Sequence, residues 1–97
     1  MKIRILESAK EDLKEGFYFY ELQRKGVGKY FLEALSADIG SLRLSAGVHS
    51  VHFGKYHRLL SKRFPFAVYY RIEKNEVSIY AVIDCRRDPA WIRQRLQ

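Results

Sequence analysis

The stretch from Arg58 to Trp91, RLLSKRFPFAVYYRIEKNEVSIYAVIDCRRDPAW, decides the fold. It contains two runs rich in aromatic and β-branched residues, Phe66–Glu73 and Glu76–Asp84, and both runs are typical of strands. Lys74 and Asn75 separate them, and an asparagine can take the positive φ that a hairpin turn requires. Because arginines flank both strands, the stretch predicts a basic, aromatic-rich hairpin that suits an acidic partner.

The residues before this hairpin begin with a strand and a helix. Lys2–Glu7 predicts a short first strand. Ser8 and Glu11 have the spacing of a capping box, in which the serine oxygen and the glutamate carboxylate each bond a free backbone N–H at a helix start. A helix is therefore expected from Ala9 to about Arg24. One stripe of its surface should face the core, and it consists of Leu13, Gly16, Phe17 and Tyr20.

A second helix should follow the short turn Lys25–Gly28 and reach about Leu42, so the two helices are expected to lie antiparallel. Ser45–Gly54 is expected to be mostly loop. Lys55–Arg63 predicts a strand, and Pro65, which has no N–H for a central ladder, marks the corner before the next strand.

The chain ends with a predicted short helix. Asp88-Pro89 supplies an N-cap followed by proline at the first helical position, and Ile92 and Leu96 would face the core. The final strand before it alternates, so that one face should consist of Val77, Ile79, Ala81 and Ile83. The expected order is β-α-α-β-β-β-α. This is one α+β domain over residues 1–97, with a helical hairpin packed on a mostly antiparallel four-stranded sheet and a short C-terminal helix.

Composition limits the classes of function. The 97 residues carry a formal net charge of +7, which favours nucleic acid, an acidic protein or an anionic surface as partner. The one cysteine, Cys85, excludes an internal disulfide and a multi-cysteine zinc site. No apolar run approaches the roughly 20 residues that span a membrane, and no signal-peptide core is found. A cytoplasmic protein without a membrane partner or a cofactor is expected.

The histidines do not predict a metal site. His49, His52 and His57 fit no familiar ligand spacing, and two of them fall in the expected loop, so we interpret them as surface or hydrogen-bonding residues. Cys85 follows the last strand, next to arginines that could lower a thiol pKa. A partly buried cysteine at a strand end is the simpler interpretation.

The run Phe17-Tyr18-Phe19-Tyr20 is the most unusual local feature. Four successive helical residues span almost a full turn, so they cannot all face one core. Phe17 and Tyr20 belong to the expected stripe, which leaves Tyr18 and Phe19 exposed. Because exposed aromatic residues are enriched at protein interfaces, we expect Phe19 and Tyr18 to contribute to a protein-binding or self-association surface.

Several segments resemble, in order, the RelE/ParE superfamily of bacterial type II toxins. They cover nearly the whole chain: Ser8–Leu13, the helix pair with Phe31 and Leu35, Arg58 ahead of Lys62-Arg63-Phe64-Pro65-Phe66, Tyr69–Ile72, and Ala81–Ile83 running into Arg86-Arg87-Asp88-Pro89. The similarity is greatest to the ParE-like, plasmid-stabilisation branch.

The resemblance implies a toxin held inactive by a cognate antitoxin, whose C-terminal segment is disordered when free and folds around the toxin. A homodimer or a heterotetramer with the antitoxin is compatible with it. RelE-like members cut messenger RNA in the ribosomal A site without a metal, whereas ParE-like members poison DNA gyrase. Two further interpretations stay open, an inactive relative that only binds an antitoxin and a plain basic nucleic-acid-binding domain.

The basic positions of the nuclease branch are only partly matched. Arg58 matches the first basic position after the helices, and Arg87 matches the arginine after the last strand. Leu60 lies where RelE-like members have the second basic residue. Ala67 lies where they have the arginine that opens the next strand, and Arg93 lies about where they have an aromatic acid or base. The resemblance therefore favours ParE-like inhibition of gyrase over RNA cleavage.

The residues expected to act follow from this match. Arg58 and Arg87 remain the weak candidates for catalysis. The expected target or antitoxin surface is larger and consists of Tyr18, Phe19, Arg58, Arg71, Arg86 and Arg87.

Overall fold

The computed structural model describes every residue from Met1 to Gln97. Its elements in chain order are β1 (Lys2–Ile5), α1 (Glu7–Gln23), α2 (Val27–Gly40), α3 (Leu42–Ser45), β2 (Val51–His52), β3 (Tyr56–Leu60), β4 (Phe66–Glu73), β5 (Glu76–Asp84) and α4 (Pro89–Arg95). The strands form one sheet in the order β1-β5-β4-β3-β2. The α+β class and the bounds of β4 and β5 are as predicted.

The expectation of four strands is wrong, because the sheet has five. Val51 and His52 form β2 inside the segment expected to be loop, and they pair with β3. Phe53 and Gly54 form the tight turn between these strands, and both adopt positive φ, at 56° and 76°. At the opposite edge, β1 pairs with β5 in parallel, so the sheet is mixed, although its other pairings are antiparallel.

The two faces of the sheet bury different clusters. The helical face packs against α1 and α2 through a core that includes Phe31, Leu35, Val68, Tyr70 and Ile79. We call the opposite side the α4 face, because Ile92 and Leu96 of α4 pack there. Its other buried members are Tyr56, Ala67, Tyr69, Ala81 and Ile83.

The expected alternation of β5 is wrong, because the strand contains a β-bulge. Tyr69 pairs with Ala81 and Tyr70 pairs with Ile79, so Tyr80 has no partner across the ladder. The extra residue reverses the phase of the strand. Ile79 therefore faces the helices, whereas Ala81 faces α4, and the single predicted face does not form.

Of the two predicted helix caps, only the one at Asp88 is present. Asp88 caps α4 as expected, since its carboxylate accepts a hydrogen bond from the backbone N–H of Ala90 at 2.9 Å. The capping box at Ser8 is wrong. Helix α1 begins at Glu7 without a side-chain cap, and the Ser8 hydroxyl donates instead to the backbone carbonyl of Tyr80 at 3.0 Å.

Two histidines hold the loop before β2 against the buried ring of Tyr70. The backbone N–H of Gly47 donates to the Tyr70 hydroxyl at 3.0 Å, and that hydroxyl is hydrogen-bonded to Nδ1 of His49. His57 stacks on the Tyr70 ring, and its Nδ1 donates to the backbone carbonyl of His49 at 2.8 Å. Nδ1 of a neutral His49 can accept a hydrogen bond from the Tyr70 hydroxyl, whereas a protonated ring cannot.

This arrangement predicts that acid destabilises the protein. Burial, with the nearby His57 second, lowers the pKa of His49 below its ordinary value of 6.5. The unfolded chain therefore binds the proton more readily, so the contribution of His49 to the free energy of unfolding should be fully present above pH 6.5 and be lost as the pH falls below it. His52, whose pKa is also lowered by burial, should add to the loss with the same sign. Urea unfolding across this range measures the effect. His49→Gln should reduce the slope, and an unchanged slope would show that His49 is not responsible.

Candidate functional site

A groove lies where α1, the end of β5 and the start of α4 meet. Its volume is about 460 Å³. Phe66, Val82 and Ile83 are the buried hydrophobic residues among those that line it. The groove joins three of the residues that the sequence proposed for a protein-binding surface, namely Phe19, Arg86 and Arg87.

Of the two arginines of this groove, Arg86 is ion-paired and Arg87 is not. Arg86 is fixed by Asp84 through two hydrogen bonds, Nε to Oδ1 at 2.9 Å and an η nitrogen to Oδ2 at 2.7 Å. Arg86 is the main reason why the pKa of Asp84 is lowered. Arg87 forms no ion pair and lies over the ring of Trp91, with its guanidinium carbon 4.0 Å from the ring centroid. Arg87 is therefore available to an anionic partner.

Aromatic side chains give the groove its apolar contact area. Phe19 is 51% exposed and Trp91 is 38% exposed, and both line the groove. Tyr18 is 53% exposed, as expected, but it lies in a separate cleft between α1 and α2. The two adjacent aromatic residues therefore face different surfaces, because successive helical positions are rotated by about a quarter turn or more.

Helix α4 is anchored beside the groove by a charge pair. Asp12 of α1 accepts from the backbone N–H of Val82 at 2.9 Å and from Arg95 of α4 at 2.7 Å. Burial raises the pKa of Asp12, even though both hydrogen bonds oppose this shift. One carboxylate thus ties together a helix, the sheet and the terminal helix, and it keeps Trp91 beside Phe19.

Asp12→Ala should destabilise the protein by about 1–3 kcal/mol, because it leaves the N–H of Val82 without an acceptor and leaves Arg95 with only a long bond, 3.4 Å, to the Ser8 carbonyl. Asp12→Asn should cost less, since the amide oxygen can still accept from Val82 and no charge is buried. Urea unfolding gives the free energies. The fluorescence of Trp91, the one tryptophan of the chain, reports separately on α4. If both variants lost the same free energy of unfolding, the ion pair with Arg95, and not the hydrogen bond from Val82, would be the main stabilising contact of Asp12.

The other predicted site residues lie outside the groove. Arg58 is paired across the sheet with Tyr69 on the α4 face. Arg71 lies further along β4, with its guanidinium carbon 6.0 Å from the ring centroid of Tyr80 and its nearest carboxylate, that of Glu73, at 4.0 Å. Arg93 is exposed on α4. The structure therefore divides the predicted surface into the groove, the separate cleft at Tyr18 and a basic sheet face.

Sequence reasoning missed Trp91 as a wall of the groove and Asp12 as the anchor of α4. Trp91 lies in the first turn of α4, four residues after Arg87, and an arginine close to an aromatic residue in sequence can contact its ring. That spacing was the available signal. The contact between Asp12 and Arg95 had none, because 83 positions separate the two residues.

The environment of Arg58 offers little for proton transfer. Leu60 and Ala67, at the two unmatched basic positions, are direct partners between β3 and β4, so an apolar pair lies next to Arg58. Tyr69 is only 3% exposed, and burial raises its pKa. Cys85 is exposed after β5 and not partly buried as expected, because the chain has left the sheet there. Desolvation by its neighbours still raises the pKa of the Cys85 thiol despite the nearby Arg58, so neither group is a ready base at neutral pH.

The three histidines are engaged in local contacts. His49 and His57 contact Tyr70, and the Nε2 of His52 lies 3.0 Å from the Ser50 hydroxyl. No group of three or more His, Cys, Asp or Glu side chains is placed to hold a metal ion. None of the helices has the length and apolar character needed to cross a membrane.

Comparison with known proteins identifies the fold. No protein-family model matches the chain, and no curated protein matches it. Among solved structures, it is similar to a chain of the "Chromosomal ParDE TA system from P. aeruginosa", with a TM-score of 0.80 and 16% sequence identity. The match covers 87% of this chain and 95% of that chain. The chain therefore shares the fold of that chain, as the resemblance in the sequence implied.

Proposed function

We propose that this protein is the toxin of a type II toxin–antitoxin pair and that a cognate antitoxin neutralises it. The observation that carries the proposal is the structural match to a chain of a ParDE toxin–antitoxin system over nearly the full length of both chains. The ordered motifs of the sequence, from Ser8–Leu13 to Arg86–Pro89, support the same assignment. The protein would act in the cytoplasm and need no cofactor.

The groove beside α4 is the proposed antitoxin surface. Phe19 and Trp91 offer exposed aromatic area, and Arg87 offers a cation that has no carboxylate partner within the chain. Aromatic residues and arginine contribute most of the binding energy at many protein interfaces. The net charge of +7 favours an acidic segment, whose ordering on binding must be offset by contact area and charge pairing.

DNA gyrase is the proposed target, and RNA cleavage on the ribosome is the alternative. Cleavage needs a group that moves the proton of the 2′-OH and cations for the phosphorane charge. The apolar pair Leu60–Ala67 lies next to Arg58, and the nearby Tyr69 is buried with a raised pKa. These features favour a protein target over cleavage of RNA.

Two assays with the purified protein separate the candidate activities. Inhibition of gyrase supercoiling, without cleavage of messenger RNA in a translation extract, is the expected result. Cleavage at the ribosome without loss of supercoiling would establish the RelE-like alternative, and the double variant Arg58→Gln/Arg87→Gln would then show whether the two matched arginines act in it. Inactivity in both assays would leave an antitoxin-binding relative or a nucleic-acid-binding domain.

A further inference from the structure

A row of three residues crosses the α4 face at the end of the sheet that α4 does not cover. Arg4 of β1 pairs with Ser78 of β5, and Ser78 pairs with Arg71 of β4. Two arginines on separate strands therefore flank one short serine. The distance between adjacent strands, about 4.8 Å, places the Cα atoms of Arg4 and Arg71 about 10 Å apart.

The burial pattern places all three side chains on one side of the sheet. Val77 and Ile79, the neighbours of Ser78, belong to the helical-face core, and the neighbours of Arg4 pack against that same core. Because successive side chains of a strand alternate, Ser78 and Arg4 point to the α4 face. Arg71 follows Tyr70, which is also in the helical-face core.

The two arginines of the row stay accessible because α4 packs elsewhere. Ile92 and Leu96 of α4 cluster with Ala67, Tyr69, Ala81 and Ile83, which lie nearer the other end of the strands. Arg4 is exposed, and the Arg71 side chain is 38% exposed. Ser78 itself is only 4% exposed, so the two arginines, and not the serine between them, form the open surface.

The charges of the row are almost unpaired. Arg4 forms no ion pair. The guanidinium of Arg71 is 4.0 Å from the Glu73 carboxylate, which is longer than a hydrogen bond, and that carboxylate accepts the Tyr80 hydroxyl at 3.1 Å. A carboxylate of the chain itself thus already lies beside Arg71 without saturating it. Guanidinium groups bind carboxylates in a planar, two-bonded geometry, so the row has free capacity for further carboxylates.

We propose that Arg4 and Arg71, on either side of Ser78, bind the carboxylates of an extended acidic segment of a partner protein. The inference rests on the proposed function only for the identity of that partner, the antitoxin. An acidic peptide fits better than a single-stranded nucleic acid, because bases need free aromatic faces to stack upon. Here Arg71 lies over the Tyr80 ring, and Tyr56 is buried.

The probe for this site is a short labelled peptide of alternating glutamate and serine, and its affinity is measured by fluorescence anisotropy at low salt. Arg4→Gln/Arg71→Gln should weaken binding about five- to tenfold, as expected for two exposed charge contacts. Lys25→Gln/Lys29→Gln has the same net charge but lies in the helical hairpin, so it should change the affinity less than about twofold. Equal losses in both double variants would overturn the proposal, as would a wild-type protein that does not bind the peptide.

For a second pair of variants we expect the opposite change in peptide affinity. Glu73→Gln removes the carboxylate that competes for Arg71, so it should tighten peptide binding about twofold or more, whereas Glu33→Gln on α2 should not. If a single-stranded oligonucleotide binds more tightly than the peptide, with the same dependence on Arg4 and Arg71, the ligand of this site is nucleic acid and not an acidic peptide. Growth arrest by the wild-type protein is scored separately, so a failure of this site leaves the proposed function standing.

Discussion

Gly28→Ala is expected to lower the free energy of unfolding by about 1–3 kcal/mol, the usual cost of overpacking a tight contact. A Cβ atom at this position would lie 2.7 Å from the backbone oxygen of Phe17 and 2.8 Å from its ring. A backbone oxygen cannot move aside as a side chain can. The helices α1 and α2 would have to separate, and this would also strain the 3.0 Å hydrogen bond from the Gly28 N–H to the Glu21 carboxylate. Urea unfolding followed by circular dichroism measures the loss.

Gly40→Ala is the matched control in the same helix. The nearest atom to a Cβ there is an η nitrogen of Arg43 at 3.3 Å, the end of a flexible side chain. Alanine has the higher helix propensity, so this variant should be unchanged or more stable by up to about 1 kcal/mol. If both variants lost the same stability, the close approach of α1 and α2 at Gly28 would not be the cause.

Phe19→Ser is expected to weaken antitoxin binding about tenfold to a hundredfold, the loss typical of an aromatic residue at the centre of an interface. Phe19 is half-exposed on α1, so the protein should stay folded without it. In the groove it lies with Trp91 and Arg87, where an apolar side chain of the partner can be buried while a carboxylate meets the guanidinium. The product of the adjacent open reading frame is the ligand, and calorimetry gives the dissociation constant.

Tyr18→Ser tests whether the groove or general surface hydrophobicity matters. Tyr18 is as exposed as Phe19 but lies in the separate cleft with Phe17 and Leu32. Its loss should therefore weaken binding distinctly less. An unchanged dissociation constant in a folded Phe19→Ser protein would remove the groove from the antitoxin surface, and a larger effect at Tyr18 would move that surface to the cleft between α1 and α2.

The parts of the fold that could be predicted from the sequence depend on local patterns. β4 and β5 have their predicted bounds because each is a long apolar run with a clear break at each end. Asn75 takes the expected positive φ, at 62°, and Lys74 takes one as well. Asp88 caps α4 because its partner is only two residues away.

The parts that failed depend on contacts between distant residues. β2 has two residues, and no periodicity can be read from so short a strand. Ser8 has the spacing of a cap, but its hydroxyl is taken by the carbonyl of Tyr80, 72 positions away. The bulge at Tyr80 arises from the register between β4 and β5, which alternation within one strand does not reveal.

The candidate site shows the same division. The exposure of Phe19 follows from helical periodicity within one segment, and it is confirmed. The groove around it needs α4 to dock next to α1, and that docking depends on the contact between Asp12 and Arg95 across the whole chain. The sequence could therefore supply one wall of the groove but not its opposite wall, Trp91.

The proposed role as a neutralised toxin can be tested by induced expression of the protein in a bacterial host, with and without the adjacent open reading frame. Colony-forming units should fall by several orders of magnitude when the protein is expressed alone, and they should recover when the neighbouring product is present. Phe19→Ser should still arrest growth but should be rescued less well, because the groove binds the antitoxin. If growth is undiminished with the protein expressed alone and folded, or if the neighbouring product does not relieve the arrest, the protein is not a toxin neutralised by that product.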